Sequence, residues 1–598
     1  MSKIINSFKK ILNFLPPKRK SQFWIILTGM ICMSIFETIV LGSIAFFASA
    51  ISDPEKIIQS DYIVFVIDLL DIEWLSDYST LITCVSIVVV LLVAAKNLIQ
   101  AIVNYWSIRY SALIEGILAG NLLHGFLQMP YEWHLDQNSA DLILVSANWR
   151  SYIGRSFINN VLQSIADLLL VTIMLTTLFI VQPMVSTIVL TILGTTSIIL
   201  FTTVRRKLDR VAKQARDYEQ SINTQATKMI HGFKDVKISG KQEIFSTQYN
   251  KTLFQISKIQ GTQRLISGLP NWLLETIGFF MISFSICYML FFLDYSIARI
   301  SGTITLLAVT AWRVLPALNR ILNRLASMRT VIPYIEKILD YYIETEENKS
   351  INNRSNTSNI QEKIDYNNYI QLQNLSFAYK NSNRFALEDV SLTIKKGDVV
   401  GIIGASGAGK STFVDIITGL LVPSLGEMFI DDLLLNSYPL RMLWMTKLGY
   451  VPQTPYIFDG TIAENVAFEI DMSKIDKESV IKCCQMAAMD DFLYDLSLGV
   501  DSYIGERGVR LSGGQRQRVS IARALYQKPE LIVFDEATSA LDNKNEKAIQ
   551  ETIYSLRGKQ TMIIVAHRLT TVESCDIIYE FEYGKLKRYG SPEVILNS

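Results

Sequence analysis

Reactive and charged side chains are scarce in this sequence. Only 19% of its 598 residues are Asp, Glu, Lys or Arg, and there are 4 histidines. The 6 cysteines, Cys32, Cys84, Cys287, Cys483, Cys484 and Cys575, form no CxxC pair and no other metal-ligand spacing. That argues against a zinc or redox site and leaves the thiols as small hydrophobes. The net charge of +1 provides no bulk attraction for nucleic acid, so no nucleic-acid partner is expected. No cleavable leader is expected either: Met1 to Lys20 carries six basic residues and no acidic one, but the apolar run after it is too long for a signal core. It reads as a first transmembrane helix.

Abundant instead are hydrophobic residues, at 49%, which is oily for a soluble chain, and a length that calls for more than one domain. The long uncharged runs fall almost entirely in the first 335 residues, and the last 240 resemble an ordinary soluble α/β domain. Candidate spans are Phe23 to Ala50, Leu81 to Ala101, Ile158 to Val181, Val185 to Val204, Leu273 to Leu293 and Ile300 to Leu318. Residues 51 to 80 hold seven acidic residues against the single Lys56, whereas Arg205, Arg206, Lys207 and Arg210 follow the fourth span. By the positive-inside rule the N-terminus, the long loops and the C-terminal domain are cytoplasmic. The more polar stretches Tyr105 to Leu127 and Leu208 to Gln263 read as helices continuing into the cytoplasm. The segment Tyr62 to Leu75 is too apolar for a free loop and too short for a span, so it suits either an interfacial helix or a plain packing helix.

The expected organisation is a transmembrane domain over 1–343, a polar linker over 344–360 and a nucleotide-binding domain over 361–598. In the last of these, short β-branched runs, Val399 to Ile403, Leu531 to Phe534 and Thr561 to Val565, alternate with helices. This pattern predicts a mostly parallel sheet with crossover helices.

Gly404, Ala405, Ser406, Gly407, Ala408, Gly409, Lys410, Ser411 and Thr412 follow the first of those strands and open a helix. That is a P-loop in its required setting: backbone N–H groups close around phosphates, Lys410 reaches the β/γ-phosphates of ATP, and Ser411 offers its hydroxyl to Mg²⁺. Asp535 and Glu536 end a buried strand, Asp535 suited to the Mg²⁺ shell and Glu536 to the attacking water.

Leu511, Ser512, Gly513, Gly514 and Gln515, twenty residues before Asp535 counting from Gln515, resemble the signature of the ATP-binding cassette (ABC) family. The order of six spans and one cassette is similar to that of its exporter-type half-transporters. The resemblance implies an α-helical six-span domain plus an α/β P-loop nucleotide-binding domain, acting as an ATP-hydrolysing homodimer in the cytoplasmic (inner) membrane. It also implies that Tyr379 stacks on adenine, Gln453 links Mg²⁺ to the membrane domain, Asp542 sits at the dimer seam and His567 touches the γ-phosphate. Gly505, Glu506, Arg507 and Gly508 resemble the segment that contacts the cytoplasmic loops.

Ionisable residues inside apolar runs, Glu37, Asp167, Glu275 and Arg313, each cost about 2.5 to 3.5 kcal/mol at a helix centre, so each faces a partner or a polar cavity. Strings around Phe36-Glu37-Thr38, Pro270 to Phe279 and Arg313 to Ile321 resemble those of the PglK-type flippases, which move polyprenyl-diphosphate-linked oligosaccharides. Where that family can carry arginine after the proline of the fifth span, this chain has Asn271. The expected substrate is therefore a lipid-linked oligosaccharide or another polyprenyl-diphosphate glycolipid, with Arg313 and Arg320 meeting the diphosphate and Glu37 and Glu275 setting the polarity; a salt bridge from arginine to Glu275 is the structural alternative. A multidrug, lipid or peptide exporter shares the architecture, and an ATP-gated channel or regulatory subunit is the competing class.

Overall fold

The computed structural model describes residues 2–52, 78–292 apart from 182, 297–355, 364–537 apart from 381 and 383, and 551–596 apart from 552, 559 and 567. Tyr62 to Leu75, Asp542 and His567 therefore lie outside the described residues. The chain forms two compact units, one of Met1–Gln128 with Gln137–Glu346 and one of Met129–Asp136 with Glu347–Ser598.

The first unit is helical. An amphipathic helix, Ser2–Phe14, precedes Pro17–Ser52, Tyr78–Leu127, Asn159–Val181, Pro183–His231, Gln242–Phe292 and Ile297–Ser355. Each candidate span falls on one of these last six, apart from Ile158, which ends the stretch before the third, and Leu293, which lies outside the described residues. At 1.5 Å per residue the 50-residue helix Tyr78–Leu127 is about 75 Å long, far more than the ~30 Å of a hydrocarbon core. The excess carries the helix into water, as the polar stretches predicted. Among the described residues, three helical segments are long and apolar enough to cross a membrane: Pro17–Ile44, Ser79–Leu127 and Tyr152–Ile180. Ile87, Val88, Val90 and Leu91 are exposed, which suits a lipid-facing surface and would be a liability in water.

Leu170, Val171, Met174 and Leu178 of Asn159–Val181 pack with Val314 and Ala317 of Ile297–Ser355 in the interior of this unit. Just before that helix the backbone widens into two π-helical stretches, Leu144–Asn148 and Tyr152–Ile158. Gly154 lies in the second, where a Cβ would sit 2.9 Å from the Ser111 carbonyl oxygen, so no larger residue fits without moving backbone.

The boundary between the two units, Glu346/Glu347, falls within the expected linker, the first part of which is helical. Glu344 to Ser355 continues the preceding helix, because Glu, Lys, Asn and Ser without Gly or Pro are helix-compatible even when too polar to form a core. Thr345 within it is buried, and a Cβ on Gly125 would lie 2.8 Å from its Cβ.

The second unit is an α/β domain. Strands β1 (Tyr369–Phe377), β2 (Leu387–Lys395), β3 (Val399–Gly404), β4 (Leu425–Ile430), β5 (Leu433–Leu434), β6 (Leu448–Val451), β7 (Leu531–Asp535), β8 (Thr561–Val565), β9 (Ile577–Glu582) and β10 (Lys585–Gly590) form two sheets. One is four-stranded and antiparallel, in the order β2-β1-β4-β5. The other runs β10-β9-β3-β8-β7-β6, parallel except at β10. Ile532 and Phe534 face one core while Leu531 and Val533 face another, which is why β7 is an unbroken apolar run. Strands β3 and β7 both pair with β8, so Gly404 and Asp535 arrive at the same carboxyl edge of the sheet. In open parallel sheets that edge is where ligands bind.

Candidate functional site: a nucleotide pocket and a charged membrane cavity

Two glycines shape the P-loop. Gly404 passes so close to the Phe581 carbonyl that no Cβ fits, and Gly409 has φ +99° with the Ala386 carbonyl oxygen 2.6 Å from where a Cβ would be. Gly409 is the N-cap of the helix Lys410–Ile417, whose first N–H groups point into the loop. Lys410 is buried, and its ammonium donates to the carbonyls of Gly404 at 2.8 Å and Ala405 at 3.0 Å. Burial lowers its pKa, opposed by the charges of Glu536 and Asp535. Ser411 is exposed at the loop's rim.

Across from the loop stand the two carboxylates. Tyr450 donates its hydroxyl to Asp535 Oδ2 at 3.0 Å, and Gln453 donates Nε2 to Glu536 Oε2 at 2.5 Å. Glu536 holds φ +50° with its N–H bound to the Val565 carbonyl at 3.1 Å, a left-handed turn that swings its side chain out of the strand direction. Burial raises the Asp535 pKa, the Tyr450 hydrogen bond opposes that, and the charge of Glu536 adds to it. Asp415, one turn along the P-loop helix, is pushed up to about 6 by burial and by Asp535. Tyr379 rests its hydroxyl 3.1 Å from Thr412 Oγ1. The structure thus brings Lys410, Gln453, Asp535, Glu536 and Tyr379 around the P-loop.

Ser512, Gly513, Gly514 and Gln515 form a separate feature. Ser512 N-caps Gly513–Tyr526 in a capping box, its N–H donating to Gln515 Oε1 at 2.7 Å and its Oγ accepting from the Gln515 N–H at 3.2 Å. Ser512 and Gly513 are exposed, and no described hydrogen bond joins these residues to the P-loop. Gln517 ties this helix to the Gln453 loop by donating to the Pro452 carbonyl at 3.3 Å. Beside it, Glu506–Gly508 is a tight turn, with Arg507 at φ +54° and both Glu506 and Arg507 exposed.

The helical unit holds a polar cavity of about 400 Å³, whose lining includes Glu37, Gln163, Asp167, Arg313, Arg320 and Arg324. Glu37 Oε1 lies 3.3 Å from Arg313 Nη1 and 3.5 Å from Lys96 Nζ. Asp167 accepts from Arg320 Nη2 at 2.8 Å and from Nε at 3.1 Å, and also from Arg324. Glu275 is elsewhere: it lines a second cavity of about 670 Å³ with Phe279, Trp312 and Asn319, which Arg320 also borders. The arginine partners are Glu37 and Asp167 rather than Glu275.

The model described as ABC transporter transmembrane region matches residues 23–314, and the model described as ABC transporter matches residues 387–539. The chain belongs to the ABC transporters. It is a half-transporter of exporter type that binds ATP, crosses the membrane several times and couples ATP hydrolysis to transport. It is similar to the ATP-dependent lipid A-core flippase of Pasteurella multocida, 27% identical over 518 residues that cover 86% of each chain. The lipid A-core flippase of Shewanella oneidensis is 25% identical over 591 residues, 98% of this chain and 95% of its own. The fold matches that of a bacterial Atm1-family ABC exporter with ATP bound, at a TM-score of 0.74 and 20% identity, covering 96% of both chains.

Reading the sequence missed Tyr450, Asp415, Lys96 and Arg324. Lys96 carried a usable signal, as an ammonium within the second apolar run, and Arg324 lies one turn beyond Arg320. Tyr450 and Asp415 carried none. The short helix Tyr131–Asp136 belongs to the nucleotide-binding unit, where burial and the charge of Asp415 raise the Tyr131 phenol and Glu132 lies near Arg441.

Proposed function

We propose that this ABC exporter works as a homodimer in the inner membrane, N-terminus and nucleotide-binding domains cytoplasmic, and flips a lipid whose head group carries phosphate, a polyprenyl-diphosphate-linked oligosaccharide or a related glycolipid. The observation that carries this reading is the charge of the membrane cavity. Among the described residues, Arg313, Arg320 and Arg324 of the lining and Lys96 behind it pair with Glu37 and Asp167, four cations to two carboxylates and hence two positive charges in excess in this cluster. Arginine matches phosphate through bidentate, charge-assisted hydrogen bonds, and Arg313 and Arg320 lie two helical turns apart on one face. The names of the curated relatives, lipid A-core flippases, support a lipid as cargo.

In the nucleotide pocket, Lys410 and the P-loop N–H groups hold the phosphates, Tyr379 meets the adenine and Glu536 orients and deprotonates the attacking water. His567 contacts the γ-phosphate and Asp542 lies at the seam between chains. The Ser411 hydroxyl, the Gln453 amide oxygen and the Asp535 carboxylate are hard oxygen donors that fit Mg²⁺, which supplies charge neutralisation at the phosphates. Ser512 to Gln515, apart from the P-loop of their own chain, complete the site of a second copy.

The test is ATP-driven flipping and lipid-stimulated ATPase in vesicles, with polyprenyl-diphosphate sugar, lipid A and a neutral glycolipid compared. Transport of the diphosphate lipid supports the full reading, and transport of lipid A alone moves the cargo to that class. Transport of only the neutral lipid overturns the phosphate assignment.

A further inference from the structure

The two buried carboxylates of the membrane cavity are built alike. Glu37, 5% exposed, is shared through one oxygen by Lys96, also 5% exposed, and by Arg313, 34% exposed. Asp167, 11% exposed, is shared by Arg324 at 20% and Arg320 at 47%. Lys96 stands outside the cavity lining, and Arg324, which lines the cavity together with Arg320, is the less exposed cation of the Asp167 pair. Arg324 is anchored further, donating to the Gln163 carbonyl at 2.9 Å.

A buried carboxylate with a single cation resists losing it, because the charge left behind is unpaired and poorly solvated. A carboxylate with two cations can release one and stay paired with the other. We infer that Lys96 and Arg324 are positioning residues that retain Glu37 and Asp167, so that Arg313 and Arg320 can be handed to an anionic head group. This inference rests on the anionic-lipid reading above and adds how the cavity selects for charge. A neutral head group provides no competing acceptor and leaves both arginines on their carboxylates. Lys96 lies outside the cavity lining and Arg324 is tethered within it, and both set the affinity by holding the carboxylates.

The test uses the full-length protein in phosphatidylcholine vesicles, reading the polyprenyl diphosphate concentration that half-maximally stimulates its ATPase. Lys96→Met leaves Arg313 as the cation of Glu37, and the half-saturating concentration should rise by about fivefold or more. The rate at saturation should change much less. Lys96→Arg should restore the wild-type value. Glu37→Gln releases Arg313 and should lower the half-saturating concentration several-fold, a gain that a merely structural pair does not produce. If Lys96→Met fails to fold, the double variant Glu37→Gln/Lys96→Met, which releases Arg313 without leaving a buried ammonium unpaired, should show the same gain. A wild-type response to the diphosphate with unchanged half-saturation in Glu37→Gln and in the double variant overturns the handover alone. No wild-type response to any phosphate-bearing lipid overturns the substrate reading and the handover with it.

Discussion

Around the P-loop, side chains whose roles depend on orientation are held by neighbours of ordinary type. Gln453 is fixed by Glu536 and Asp535 by Tyr450, at 2.5 and 3.0 Å. Glu536→Gln keeps the shape and loses the base, so turnover should fall by about 10²-fold or more while ATP still binds, measured by phosphate release and nucleotide trapping. Tyr450→Phe deletes one hydroxyl and leaves Asp535 without that donor. Steady-state kinetics should show a rise of about tenfold in the Mg²⁺ needed for half-maximal ATPase, the effect usual for partners that orient a metal ligand. The first of these predictions was legible in the sequence, since Asp535 and Glu536 end an apolar run at a set distance from the signature. The second was not: Tyr450 and Asp535 are 85 residues apart, and only the parallel pairing of β6 with β7 brings them together.

Among the elements, the long helices and the parallel strands declare themselves by the length and continuity of their apolar runs. The helix Ile297–Ser355 shows where that reasoning stops, because polarity marked Glu344 onward as linker without showing that its first part, free of Gly and Pro, continues the helix. The π-helical widening over Tyr152–Ile158 left no trace in the sequence either, since it reflects contact between helices rather than local propensity. Gly154→Ala drives a Cβ against the Ser111 carbonyl and should cost about 1–3 kcal/mol, seen as a lower Tm of the purified protein. Gly120→Ala, in the open with nothing within 4 Å of its Cβ, is the matched control and should leave Tm unchanged or slightly raised.

For the whole molecule, the domain order and the ATP chemistry were readable from short motifs, whereas the charge of the cavity was only half readable. Glu37, Asp167 and Arg313 stood out as polar residues in apolar runs, but which of them pair is decided by how helices far apart in sequence pack, as the Arg320–Asp167 pair shows across 153 residues. A homodimer whose ATP sites form between copies should respond in a particular way to mixed dimers with Lys410→Ala in one copy and Ser512→Arg in the other. Both lesions fall in one composite site and about half the ATPase sites remain intact, whereas sites within each chain would all be lost. The most direct test of ATP-driven lipid flipping is the transbilayer movement of a fluorescent polyprenyl-diphosphate sugar in vesicles holding either the wild-type protein or Glu536→Gln. ATP-dependent movement is expected with the wild type and none above protein-free vesicles with Glu536→Gln; equal movement in both, or none in either, would contradict ATP-driven flipping of this lipid.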